Sequence, residues 1–236
     1  MKKSLALALI LAVGIASASY AQEPAPDDHG PDLFNMIKVE VDYADRHGGL
    51  WNGNLEGWIG GDVERLWIRA EGEIVDGDFE KAEAQLFYGR NVRPFWDLLV
   101  GVRQDFEPRG ETYLAAGIVG LAPYFFETEA TAYLSTEGDL SARFEQCLDI
   151  PVTQKLIAQP HVEVNVFAQD VPARGVGAGF SDIEVGLQLR YEIIRKFAPY
   201  LDLVWERKLG ETASIARANG DDVEDTTLRF GVRAWF

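Results

Sequence analysis

Thr227-Leu228-Arg229-Phe230-Gly231-Val232-Arg233-Ala234-Trp235-Phe236 alternates residue by residue between two kinds of side chain. Leu228, Phe230, Val232 and Ala234 share one parity, and Thr227, Arg229, Gly231 and Arg233 share the other. Successive side chains of a β-strand point to opposite faces, so this stretch reads as a strand with apolar surroundings on one face and polar ones on the other. The pattern recurs upstream. Ile183, Val185, Leu187, Leu189 and Tyr191 oppose Asp182, Glu184, Gly186, Gln188 and Arg190. Before them, Ala158, Pro160, Val162, Val164 and Val166 oppose Gln159, His161, Glu163, Asn165 and Phe167.

Strand patterns cover 37–43, 53–61, 63–75, 80–91, 94–106, 112–121, 124–136, 139–149, 155–168, 180–194, 199–209 and 226–236, and no helix pattern accompanies them. That is twelve, or ten if the glycine-rich stretch 53–61 does not pair. Most reach the ~9–11 residues with which a tilted strand crosses a bilayer. Short turns follow strands 2, 4, 6, 8 and 10. The connections after strands 1, 3, 5, 9 and 11 are mostly longer and more polar, chiefly 44–52, 169–179 and 210–225, with Glu137-Gly138 breaking the pattern. Short turns at one rim and long loops at the other characterise outer-membrane barrels. Tyr43, Trp51, Phe95, Trp96, Tyr124, Phe125, Tyr200 and Trp235 lie near strand ends, where interface girdles form. A soluble sandwich would alternate equally well, but the polar faces leave almost no second set of apolar residues to pack as its core. The expected fold is all-β: a single antiparallel up-and-down transmembrane β-barrel of about 12 strands, with both termini periplasmic.

The first 21 residues read as an export signal, with Lys2-Lys3, an apolar run from Leu5 to Ile15, and Ser19-Tyr20-Ala21 at the cleavage site. Residues 22–33, with Pro24, Pro26, Asp27, Asp28 and Pro31, read as a short disordered acidic tail, and 34–236 as the barrel. No later stretch offers the ~18 apolar residues of a helical span. Without Lys2 and Lys3 the balance is 20 basic against 38 acidic residues, a net −18. Phosphate binding needs a basic face, so nucleic acid is excluded as a partner. Cys147 stands alone, so strand pairing holds the fold without a disulfide.

Several stretches together resemble the copper resistance protein B family of proteobacterial outer membranes. They include Gly57-Trp58-Ile59-Gly60-Gly61-Asp62, Arg65-Leu66-Trp67-Ile68-Arg69-Ala70-Glu71-Gly72-Glu73 and Pro94-Phe95-Trp96-Asp97. Gly120-Leu121-Ala122-Pro123-Tyr124-Phe125-Phe126-Glu127, Phe197-Ala198-Pro199-Tyr200, Trp205-Glu206-Arg207-Lys208 and the closing Gly231-Val232-Arg233-Ala234-Trp235-Phe236 follow in order. The resemblance covers nearly all of 34–236. It implies a bacterial outer-membrane protein of copper resistance that binds or passes copper ions, and leaves room for a periplasmic copper-handling protein as partner. An aromatic last residue resembles the signal read by the barrel assembly machinery, which joins outer-membrane lipid among the expected partners. The chain departs from the family in one region. Members typically carry a Met/His-rich segment after the signal, whereas here Asp27-Asp28-His29 and Met36 are all that region offers, and Met36 is the one methionine after residue 21.

The candidate metal ligands are therefore His161 and Glu163, with His29, Asp28 and Met36. His161, Glu163 and Asn165 stand at i, i+2 and i+4 and form one row on a strand face. Such a row holds a divalent cation or is an ordinary hydrogen-bonded lumen row. His29 with Asp27 and Asp28, and His47 beside Asp45, read as weak ligands or as solvated acidic segments, and Asp221–Asp225 as a loop that attracts calcium or other cations or as a solvated acidic loop. Cys147 reads as a soft ligand or as an inert lone thiol. The interleaved inward Arg and Glu residues read as a stiffening ladder or as an ion path, since buried charge must be paired or hydrated. Barrel lipases set a serine two residues after their histidine, and here that position is Glu163, so no enzyme is expected. The alternatives kept open are a narrow channel or structural barrel without metal specificity and, third, an outer-membrane hydrolase.

Overall fold

The first long strand, β1 (Phe34–Ala44), pairs with both the second and the last, and that double pairing makes the sheet a barrel. The computed structural model describes residues 33–46 and 48–236. The export signal, most of the tail, Asp28, His29 and His47 lie outside them. The remaining long strands are β2 (Leu50–Gly60), β3 (Glu64–Val75), β4 (Asp78–Arg93), β5 (Trp96–Glu107), β6 (Glu111–Ala122) and β7 (Phe126–Ser135). After them come β8 (Leu140–Cys147), β9 (Leu156–Phe167), β10 (Gly179–Tyr191), β11 (Phe197–Lys208) and β12 (Glu224–Trp235). Each pairs antiparallel with its neighbours in the chain, and a two-residue strand, Ile150–Pro151, caps β9. The glycine-rich β2 pairs along its whole length, Phe34 facing Gly60 and Ala44 facing Leu50, so the count is twelve.

Parity sorts the two faces as the alternation requires. Ile68, Val100, Leu114, Leu187 and Phe230 stand exposed on the outer wall, where lipid meets them. Gln85, Arg103, Arg143 and Arg190 of the opposite parity are buried inside. Among the described residues no helix is long and apolar enough to cross a membrane; the strands cross it. The molecule is an outer-membrane β-barrel.

Four details differ from the sequence expectation. First, the last loop contains a helix, α1 (Gly210–Asn219). Thr212, Ala213 and Ala216 are buried on it, and Gly220 ends it in the left-handed region with its N–H donating to Ala216 and Arg217 carbonyls. Second, the rim asymmetry rests mainly on two loops, 168–178 and 209–223, because β1 and β2 run on to leave only 45–49 between them. Third, Phe95, Tyr124 and Phe125 are exposed by 72, 85 and 78% on the short turns, as a girdle requires, but Tyr200 is buried. Its ring points inward and its hydroxyl donates to Asp42 Oδ2 at 2.9 Å, and Trp235 likewise lines the lumen. Fourth, the lumen does hold an apolar set. Trp67, Phe87, Leu99, Tyr113, Ala115 and Tyr133 bury one another on β3–β7. The inward face of these strands changes along its length from charged to aromatic, a switch that parity alone does not reveal. Guanidinium groups lie over these rings, Arg69 at 5.5 Å from Phe87 and Arg103 at 5.0 Å from Tyr133.

Candidate functional site

Beside the aromatic set the lumen opens into a cavity of about 780 Å³. Its wall carries twelve Asp or Glu against seven Lys or Arg, so it favours cations. The excess is organised by register. Glu129 on β7 faces Glu145 on β8, which faces Glu163 on β9, then Glu184 on β10, Glu206 on β11 and Asp225 on β12. A second row runs Glu71, Glu83, Asp105, Glu111 across β3–β6. Like charges directly opposite one another in a sheet repel, so these rows stand only with cations among them. Arg143 lies 3.5 Å from both Glu71 and Glu83, 3.4 Å from Glu163 and 3.9 Å from Glu145. Arg69 pairs with Glu129, Arg229 lies 3.6 Å from Glu184, and Arg103 lies 2.8 Å from Glu83. Inward Arg and Glu form a ladder, and carboxylates outnumber its cations.

One step toward the short-turn rim the donors become softer. Glu127 faces Cys147, and Cys147 faces His161. Directly opposed lumen side chains have Cβ atoms about 4.5–5.5 Å apart. The Cys147 thiol donates to Glu127 Oε2 at 3.5 Å. His161 lies flat across Gly186, its partner on β10, and reaches Asp202 on β11, with Nε2 3.1 Å from Oδ1 and 3.2 Å from Oδ2. A Cβ on Gly186 would stand 2.1 Å from that nitrogen, so only glycine admits the pose. With Nε2 donating to the carboxylate, Nδ1 keeps the lone pair, and Glu184 Oε1 lies 3.9 Å from it. A carboxylate that orients a histidine in this way is the usual support of a metal-binding imidazole. The device is repeated next door, where Tyr200 lies over Gly231 to reach Asp42, whose Oδ1 also accepts from Asn52 Nδ2 at 2.8 Å.

Of the residues singled out in the sequence, His161, Glu163 and Met36 line this one cavity. Glu163 is engaged by Arg143 and by Asn165 Nδ2 at 2.8 Å, while His161 turns away toward Asp202 and Glu184. Cys147, an inert thiol or a soft ligand by sequence, stands beside His161 with its thiol in the lumen. Asp202 carries no sequence signal beyond its parity with Tyr200 on β11, which marks it as inward. Of the acidic loop, Asp225 is paired with Arg46 at 2.8 Å.

The family model for the copper resistance protein B precursor (CopB) matches residues 33–236. Copper resistance protein B of Escherichia coli is 45% identical over 184 residues, which is 78% of this chain and 62% of that protein, so the match spans less than two thirds of the relative's length. The copper resistance protein B homolog of Pseudomonas syringae pv. tomato is 44% identical over 205 residues, 85% of this chain and 69% of the homolog. Among solved structures the NanC porin superposes with a TM-score of 0.57 at 12% identity, covering 84% of this chain and 98% of its own. The KdgM porin in complex with disordered oligogalacturonate gives 0.51 at 9% identity, with 84 and 99% covered. At these identities the likeness is one of fold.

Proposed function

The chain belongs to the copper resistance protein B family, and from that footing we propose that its lumen binds copper ions in transit through the outer membrane, without catalysing a reaction on them. The observation that carries this reading is the ordered change of donors down the cavity wall. Carboxylates stand in a row across β7–β12, Cys147 and His161 follow one step nearer the short-turn rim, and Met36 lies at the same end of β1. Carboxylates attract any divalent cation, whereas thiolate, imidazole and thioether favour copper over magnesium or calcium. Conduction requires sites strong enough to admit an ion and weak enough to release it. The lumen fits that requirement, because the acidic rows are partly neutralised by arginines and the His161 donors are spread over three strands. Glu163, and not a serine, stands two residues after His161, and on that ground we read the barrel as a non-enzyme. A periplasmic copper-handling protein would receive or deliver the ion at the short-turn rim.

The test is calorimetric titration of the refolded full chain with Cu(II), and with Cu(I) under reductant, beside His161→Ala and Cys147→Ser. We expect each substitution to weaken copper binding tenfold or more, with zinc and magnesium bound less tightly by the parent. Equal copper affinity in all three proteins would sink the lumen site and leave a narrow barrel without metal specificity. In cells, deletion should raise sensitivity to copper and leave sensitivity to cadmium unchanged.

A further inference from the structure

At the outer rim, away from the copper path, one carboxylate oxygen from each of Glu111, Glu137 and Asp139 lies within 4.8 Å of the other two. Two oxygens bound to one calcium ion at about 2.4 Å can be at most about 4.8 Å apart, so the three can share an ion after small side-chain adjustments. An acidic cluster alone means little, but Glu111 is different in kind. Its residue is 6% exposed, and its Oε1 atom is buried with no hydrogen-bond donor. A buried carboxylate oxygen left without a donor costs free energy that a bound cation removes. Its Oε2 atom is already used, accepting from the Tyr113 hydroxyl at 2.9 Å and lying 3.8 Å from Arg174, which pairs more closely with Asp105 at 2.8 Å. Glu137 and Asp139 come from the β7–β8 turn, held by the Ser135 hydroxyl oxygen, which accepts both of their backbone N–H groups. One competitor is present, Arg109 at 2.5 Å from Glu137, and that pair is solvent-exposed and therefore weak.

We propose that Glu111, Glu137 and Asp139 form a rim site for a hard divalent cation, calcium or magnesium, distinct from the lumen copper path. The donors are all oxygen, the set such ions take, and no thiol or imidazole is among them.

Terbium(III) serves as the probe on the refolded full chain in detergent, because Tyr113 bonds the proposed ligand Glu111 and can sensitise its emission. We expect saturable sensitised emission that calcium displaces and sodium does not. Glu111→Gln and Asp139→Asn should each weaken terbium binding at least tenfold. Arg109→Ala, which removes the competing guanidinium, should tighten it about threefold, and His161→Ala should leave it unchanged. Unaltered affinity in the Asp139 variant, weaker binding in the Arg109 variant, or loss of signal in the His161 variant would each overturn the proposal. Electrophoretic heat-modifiability verifies that each barrel is folded. Should the buried Glu111 variant fail that check, the Asp139 and Arg109 variants decide the matter.

Discussion

The two arcs of the lumen wall solve opposite problems. On β3–β7 the inward residues include an aromatic set that buries itself and carries arginines stacked on its faces. On β8–β12 and β1 the inward residues are mainly charged, carboxylates with Arg143, Arg190, Arg229 and Arg233 among them, joined by a thiol, an imidazole and a phenol, and they border open volume. Both long loops, 168–178 and 209–223, spring from this second arc. One of them returns to the first, where Arg174 reaches Asp105 on β5 and the Tyr113 hydroxyl on β6. The difference teaches a division of labour. A barrel wall has lipid on one side and supplies no apolar core of its own, so one arc fills the lumen and stiffens the molecule. The other arc, without such packing, holds the longer row of like charges, from Glu145 on β8 to Asp225 on β12, together with the His161 site.

The sharpest way to break this comparison is to remove its apolar side. Phe87 is fully buried at the centre of the aromatic arc. Phe87→Ala should destabilise the barrel by about 3–5 kcal/mol, measured as the shift in urea unfolding of the protein refolded into liposomes. Copper binding per folded molecule should hardly change. An unfolding midpoint like that of the parent would show that the aromatic arc is not the core.

The opposite substitution leaves stability and removes chemistry. Gly186→Ala places a methyl group where the His161 ring lies, so the ring must leave Asp202. Loss of a carboxylate that orients a metal-binding histidine typically weakens binding 10–100-fold, and that loss in the copper titration is the expected outcome. Gly72→Ala, at a position where an added Cβ meets only a carbonyl oxygen at 3.9 Å, is the control. If both alanines bind copper alike, the flat pose of His161 is irrelevant to binding, and the arcs do not differ in the way argued.

How much of this was legible in the residues follows from what alternation encodes. Parity was readable, so the lipid-facing Leu187 and Phe230 and the inward His161 and Glu163 are where the pattern puts them. The glycine-rich β2 also paired as the twelve-strand reading required. Register was not readable, because pairing depends on turn geometry and on long-range closure rather than on any one strand. Glu129, Glu145, Glu163, Glu184 and Glu206 look unrelated in the chain and become one row only when five strands align. For the same reason Cys147 and His161, fourteen positions apart, gave no sign of being neighbours. The helix in the last loop had a local signal, Ala213, Ala216 and Ala218 before Gly220, but it was masked by the acidic residues beyond it. The aromatic interior was hidden in plain alternation. Phe87 and Trp67 carry the same parity as Gln85 and Arg69, and nothing in a period of two says where along a strand the lumen turns from wet to dry.

The smallest expected effect refines the comparison. Tyr200 repeats the His161 device, lying over Gly231 to meet Asp42, but it offers a phenol where His161 offers a nitrogen lone pair. If the polar arc exists for chemistry alone, the two rings should be equally important to copper. If the device also ties strands together, Tyr200 should matter for stability only. The second follows from the contacts. The Tyr200 hydroxyl links β11 to β1 across β12, the seam where the chain's first and last strands close the barrel, and Asp42 keeps Asn52 as a donor when the phenol is gone. Tyr200→Phe should therefore cost about 1 kcal/mol, the usual worth of one hydrogen bond, seen as a modest fall in unfolding midpoint with copper affinity unchanged. A tenfold loss of copper binding in this variant would place Tyr200 and Asp42 on the ion's path and extend the chemical arc across the closing seam.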